Sequence, residues 1–158
     1  GYSDKIVVES GAKINGLATE RFGGLEISGG GEVNDAQINT GIISIYGGVI
    51  NGFDNDGSIW LYSGAVIKDG IMRSSMNMQQ GTSASNINIT KGGNVNVYDG
   101  AIIQDVVLSG VMTIWEGGSG AQIILKDNAF LSVSNDAYIS NLIVESAVLL
   151  TFAREKTC

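Results

Sequence analysis

The chain has 158 residues, sixteen of them acidic and none of them histidine, and this limits the chemistry it can attempt. Without an imidazole there is no Ser-His-Asp or Cys-His nucleophile. The lone cysteine is the last residue, Cys158, so the usual transition-metal ligands are missing as well. Carboxylates remain. Asp35, Asp69 and Asp105 recur at one place in a repeated pattern, and Asp54 and Asp56 flank Asn55. Stacked repeats could bring such groups within the few ångströms that glycan-cleaving enzymes use, with or without Ca²⁺. Against this, Asn86 and Asn141 occupy the same place without ionising, Asx residues favour turns, and no basic residue shares the column. Glycine-rich stretches such as Ser28-Gly29-Gly30-Gly31 have neither phosphate-loop spacing nor a following helix. The sequence therefore assigns no catalytic residue, metal ligand or cofactor.

Contact is the other available chemistry. Glu9, Ser28, Tyr46, Tyr62, Gln79, Tyr98, Trp115 and Ser134 each follow an apolar residue of the repeat and are expected to point outward, as is Trp60 between Ile59 and Leu61. The aromatic members, Tyr46, Trp60, Tyr62, Tyr98 and Trp115, form a candidate binding face for a sugar or a protein, being large, rigid and amphipathic. Stacking that only braces neighbouring repeats is the competing reading. Thr90 and Ser109 share another column, where a hydroxyl serves turn chemistry or carries a modification.

These side chains are positioned by a repeat of 16 to 19 residues. Val8, Ile27, Ile45, Leu61, Met78, Val97, Ile114 and Val133 mark it, and two residues before each lies another aliphatic residue or Met. That period-2 pair predicts a short strand with one face buried. Three residues later comes Gly11, Gly30, Gly48, Gly64, Gly81, Gly100, Gly117 or Asp136, where a tight or left-handed corner is expected. A second inward residue (Ile14, Val33, Ile67, Ala84, Ile103, Ile139) precedes an Asn/Asp corner at Asn15, Asn34, Asp35, Asp69, Asn86, Asp105 and Asn141. A third strand is read from pairs such as Ile87 with Ile89 and Val106 with Leu108. One such unit cannot bury its own apolar face, so neighbours must stack. The predicted fold is an all-β, single-stranded parallel β-helix of eight to nine coils, three short strands to a coil, in one domain over 1–158. At about 4.8 Å per coil the rod is roughly 40 Å long.

Local irregularities add three expectations. The shortest interval, from Ile45 to Leu61, suggests a tightened corner around Asn51-Gly52-Phe53-Asp54. The Met- and Ser-rich stretch from Met72 to Met78 suggests that the middle coil is the most loosely packed. Repeats end near residue 152, and the charged tail Ala153–Cys158 is expected to shield the last edge or lead into a following region.

A net charge of −7 repels phosphate backbones and anionic lipids, so nucleic acid is not an expected partner. No apolar run approaches the ~20 residues of a spanning helix, and this segment is not expected to enter a membrane. The Gly-Gly corners at Gly23-Gly24, Gly29-Gly30, Gly47-Gly48, Gly92-Gly93 and Gly117-Gly118, alternating with apolar pairs over residues 5 to 152, resemble the AIDA-type repeats of bacterial autotransporter adhesins. The resemblance implies a right-handed β-helix, secreted or displayed on the bacterial surface, that works without catalysis through adhesion, self-association and biofilm formation. It implies self, host or bacterial surface proteins, or glycans, as partners. It also implies glycosylation of Ser or Thr in some members, which makes Thr90 and Ser109 candidates. The alternatives are a carbohydrate-binding or carbohydrate-cleaving β-helix and a stalk presenting another domain.

Overall fold

Alternate burial builds the short strands of the computed structural model, which describes residues 4–21, 23–146 and 148–152. The chain runs through β1 (Lys5–Val8), β2 (Lys13–Thr19), β3 (Gly24–Ser28), β4 (Glu32–Ile38), β5 (Ile42–Tyr46) and β6 (Val49–Asn55). It continues through β7 (Ser58–Tyr62), β8 (Val66–Met72), β9 (Ser75–Met78), β10 (Ser83–Ile89), β11 (Asn94–Val97) and β12 (Ile102–Leu108). The last strands are β13 (Val111–Ile114), β14 (Ser119–Leu125), β15 (Phe130–Val133), β16 (Tyr138–Val144) and β17 (Leu149–Phe152). Odd-numbered strands form a nine-stranded sheet and even-numbered strands an eight-stranded one. Every pairing within the two sheets is parallel and joins a strand to the one two places further along the chain. Each coil gives one strand to each sheet, so the fold is a parallel β-solenoid of about eight turns.

The inward residues read from the repeat form one continuous core. Ile27, Ile45, Leu61, Met78, Val97 and Ile114 are all fully buried, stacked in register from coil to coil. In the last coil, Ile139, Leu142 and Leu150 are partly buried against this core.

The second and third strands expected in each coil run together as one seven-residue strand with a bend in it. At the bend Asp35, Asp69, Asn86, Asp105, Gln122 or Asn141 takes a left-handed backbone, with φ between 52° and 60°, and Gly16 and Gly52 do the same elsewhere in the column. The ladder skips this residue: Ser85 pairs with Gln104 and Ile87 with Val106, while Asn86 is left between them. The skipped residue shifts the alternation by one place, so Val33 and Ala36, three apart, both enter the core. That phase shift is why the sequence pattern reads as two strands.

One local expectation is corrected. The residue missing from the short coil is not lost at Asn51–Asp54, because β6 has the same length as β4 and β8 and pairs with both in register. It is lost at the preceding corner, where Gly47 and not Gly48 has the left-handed φ of 76°. Gly48 instead fills the narrow position taken by Gly31 and Ala65 in adjoining coils; a Cβ there would lie 2.2 Å from Ile27 Cγ2. In the Met-rich coil Met72, Met76 and Met78 are fully buried, as a flexible thioether chain permits.

Coil length otherwise varies at the return to the nine-stranded sheet, which takes two residues at 73–74 and four at 90–93. At the return over 56–57, Asn55 occupies an inward position and is fully buried. Its Oδ1 accepts from the Gly57 N–H at 3.1 Å and its Nδ2 donates to the Gly57 carbonyl, so the buried amide closes the turn. Ala153–Cys158, the expected shielding tail with its cysteine, lies outside the described residues.

Candidate functional site

The carboxylates come to rest on the bend. Down the column the order is Asp35, Gly52, Asp69, Asn86, Asp105, Gln122, so no two carboxylates sit on adjacent coils. Two coils separate their backbones by about 9.6 Å. Asp69 Oδ1 accepts from Asn86 Nδ2 at 2.8 Å, and one position earlier an amide ladder links Asn51 to Asn34 and Asn34 to Asn15, each at 2.9 Å. Shallow depressions follow the crease; one of about 500 Å³ is lined by Asp35, Gly52, Phe53 and Asp54. Among the described residues no three His, Cys, Asp or Glu gather closely enough to hold a metal ion.

Asp54 has a basic partner that the sequence reading did not assign. Arg73, on the next coil, donates from Nε to Oδ1 at 2.8 Å and from a terminal nitrogen to Oδ2 at 3.2 Å. This fork lowers the Asp54 pKa and raises that of Arg73. The Glu32 carboxyl is likewise lowered, first by its hydrogen bond to Lys13. Both are surface ion pairs across coils.

The five aromatic residues fall on the outer face of the nine-stranded sheet and separate into three environments. Tyr46 and Tyr62 stack with centroids 4.6 Å apart and planes 7° from parallel. Tyr98 and Trp115 stack at 6.0 Å and 13°. Gln79, on the coil between, interrupts the column. Trp115 is further fixed by its indole, which donates to Asn96 Oδ1 at 3.1 Å, and Asn96 Nδ2 donates in turn to Asn77 Oδ1 at 3.1 Å. Trp60, 36% exposed, sits one column inward with Asn77 as its neighbour on the next coil. It takes part in neither stack and its indole N–H makes no hydrogen bond among the described residues. Rings stacked along the rod cover one another's faces and turn their edges outward. The bracing role weighed for this column is thus realised within each pair, alongside exposure of 46% at Tyr46 and 44% at Trp115.

The surroundings distinguish this face. From β5 to β17 no odd-numbered strand contains a charged residue; Ser, Asn, Thr and aromatic side chains, with the aliphatic Ile42, Val111 and Leu149, occupy the outward positions. Even-numbered strands carry Lys13, Glu32, Asp35, Asp54, Lys68, Asp69 and Asp105. The uncharged strip and the Trp115–Asn96–Asn77 relay were missed in the sequence, although the outward placement of Asn77 and Asn96 in the Trp60 column was available to find them.

Thr90 and Ser109 do share a column, just beyond the ends of β10 and β12. Thr90 Oγ1 donates to the Met72 carbonyl at 3.3 Å, and Ser109 Oγ lies 3.5 Å from Asp127 Oδ2. Both residues are half-buried, and both contacts join one coil to its neighbour.

Together the two sheets define a parallel β-solenoid with one charged flank and one that carries Lys5 and Glu26 at its start and is uncharged from β5 onward. No protein-family model matches the chain, and no curated protein sequence matches it. Among solved structures it is similar to a TibC-catalysed, hyper-glycosylated fragment of TibA, at 16% identity and a TM-score of 0.39, over 95% of this chain and 81% of that one.

Proposed function

We propose that the rod is a non-enzymatic attachment module, secreted or displayed on a bacterial surface, that makes contact through the outer face of its nine-stranded sheet. The observation that carries this reading is the uncharged strip on a molecule of net charge −7. Two copies, or two cell surfaces bearing copies, repel each other least through that strip. Its composition supports the same reading: Tyr and Trp give rigid contact area, Ser and Asn adaptable hydrogen bonds, and the cores of interfaces are depleted of charge. The likeness of the Gly-Gly repeats to adhesin passengers points in the same direction.

Clumping of cells that display the rod tests the proposal. Trp60→Ala combined with Tyr62→Ala is expected to abolish it; unchanged clumping would remove this face from the account. A stalk that only presents another domain would cause no clumping in either form. Release of reducing ends or unsaturated uronates from a glycan panel, lost on replacing Asp35, Asp69 or Asp105, would favour the enzymatic alternative instead.

A further inference from the structure

The aromatic column is broken at one place, and the break has the features of a ligand site. Tyr46 covers one face of Tyr62, and Trp115 covers one face of Tyr98. The two remaining faces look along the rod towards the level of Gln79, two strand spacings or about 9.6 Å apart. A ring in van der Waals contact with both sides needs two separations of about 3.5–4.0 Å, so the gap admits one when the Gln79 side chain turns aside.

The polar groups beside the gap are unused. The Gln79 carboxamide and the Trp60 indole N–H make no hydrogen bond among the described residues. Asn77 accepts from Asn96, but its own Nδ2 donates to nothing among them. Trp60 and Tyr62 on β7 thus face Asn77 and Gln79 on the next coil, two rings against two carboxamides. Trp115, by contrast, is both stacked and hydrogen-bonded.

We infer that this break binds a neutral pyranose unit of an oligosaccharide. The ring faces of Tyr62 and Tyr98 meet its C–H surfaces, and Asn77, Gln79 and the Trp60 indole N–H meet its hydroxyls. Neutrality follows from the surroundings: no cation lies on the outward strip from β5 onward to pair a uronate or sialate, and the corner carboxylates Asp99 on the next coil and Glu116 on the one after it repel acidic sugars. The inference rests on the proposed contact role of the same face and adds its ligand class.

Cellotriose, maltotriose and tri-N-acetylchitotriose, with trigalacturonate as the acidic counterpart, are titrated into the full chain carrying Trp115→Phe, so that Trp60 fluorescence reports binding. Saturable change with at least one neutral trisaccharide, and none with trigalacturonate, is expected. Gln79→Tyr extends the aromatic column through the gap without removing the face. It should weaken binding at least about tenfold, the equivalent of one or two ring contacts. Gln79→Ala keeps the gap open and should cost less affinity than Gln79→Tyr. The inference is overturned if no neutral trisaccharide saturates, if trigalacturonate binds equally well, or if Gln79→Tyr leaves affinity unchanged. In any of those cases, clumping that is still lost in the Trp60→Ala, Tyr62→Ala variant leaves the contact role standing. Clumping that survives that variant removes the contact role itself.

Discussion

The two sheets of this rod receive the same treatment on their inner sides and opposite treatment on their outer sides. Inside, both present stacked aliphatic and Met residues to one core. Outside, the eight-stranded sheet commits many of its polar side chains to the turn and to each other. A left-handed residue turns the strand in every coil, and Asn ladders and ion pairs join neighbouring coils. On the nine-stranded sheet the strands run straight, so outward positions carry no turn duty, and from β5 onward they collect uncharged Ser, Thr, Asn, aromatic and some aliphatic residues instead. The polar residues at the bend hold the turn, whereas on the straight strands some are joined across coils and others, the Trp60 indole N–H and the Asn77 Nδ2 among them, make no hydrogen bond among the described residues.

Adjacent residues on β7 give the largest test of this division. Leu61→Ala removes a fully buried side chain from the core and is expected to cost about 2–5 kcal/mol in urea unfolding. Tyr62→Ala, one residue on, loses a stacking partner and should cost about 0.5–1.5 kcal/mol. Equal losses would mean that the outer column is as structural as the core.

On the bend, Asp105→Val forces a β-branched residue into a left-handed backbone and should destabilise by about 1–2 kcal/mol or more, whereas Asp105→Gly should be nearly neutral. If both variants were neutral, the column's polar residues would be kept for something other than the turn.

The smallest effect is electrostatic. The folded-state pKa of Asp54 lies below its ordinary value of 3.8, because Arg73 holds the charged form. Its contribution to stability is therefore present above that value and is lost as the pH falls through the lower, folded pKa. Both side chains are more than one-third exposed, and solvent screening keeps the contribution below about 1 kcal/mol. Comparing urea midpoints of the wild type and Arg73→Gln at about pH 6 and about pH 2.5 should show a difference that shrinks at the acid end. A difference that grows there would contradict the assignment.

Much of the fold was legible because each coil repeats the same burial constraint. Ile45, Leu61 and Val97 announce inward strand positions, and Gly64 and Gly100 announce left-handed corners, with φ of 84° and 72°. A single missing residue was harder to place. The interval from Ile45 to Leu61 shows that one is gone, but either corner could lose it, and only the register of β6 assigns it to Gly47. The bend was misread as a strand boundary because a left-handed residue changes the parity of burial while hydrogen bonding resumes beyond it. Asn55 escaped notice because burying an amide depends on the turn it closes, and the strand pattern does not report that turn. At the candidate site the outward direction of Tyr46, Tyr62, Tyr98 and Trp115 was readable from alternation. Which rings cover each other, and which polar groups stay unpaired, depends on neighbouring coils and emerged only in three dimensions.

The central claim, that contact is made through the uncharged strip of the straight sheet, is tested most directly by placing matched charges on the two outer faces. Ser44→Asp with Thr113→Asp puts two carboxylates on the nine-stranded sheet, and Asn88→Asp with Gln104→Asp puts two on the eight-stranded sheet, all at positions outside the core. Clumping of displaying cells should be lost in the first pair and retained in the second. Equal clumping in both, or loss only in the second, would contradict the account.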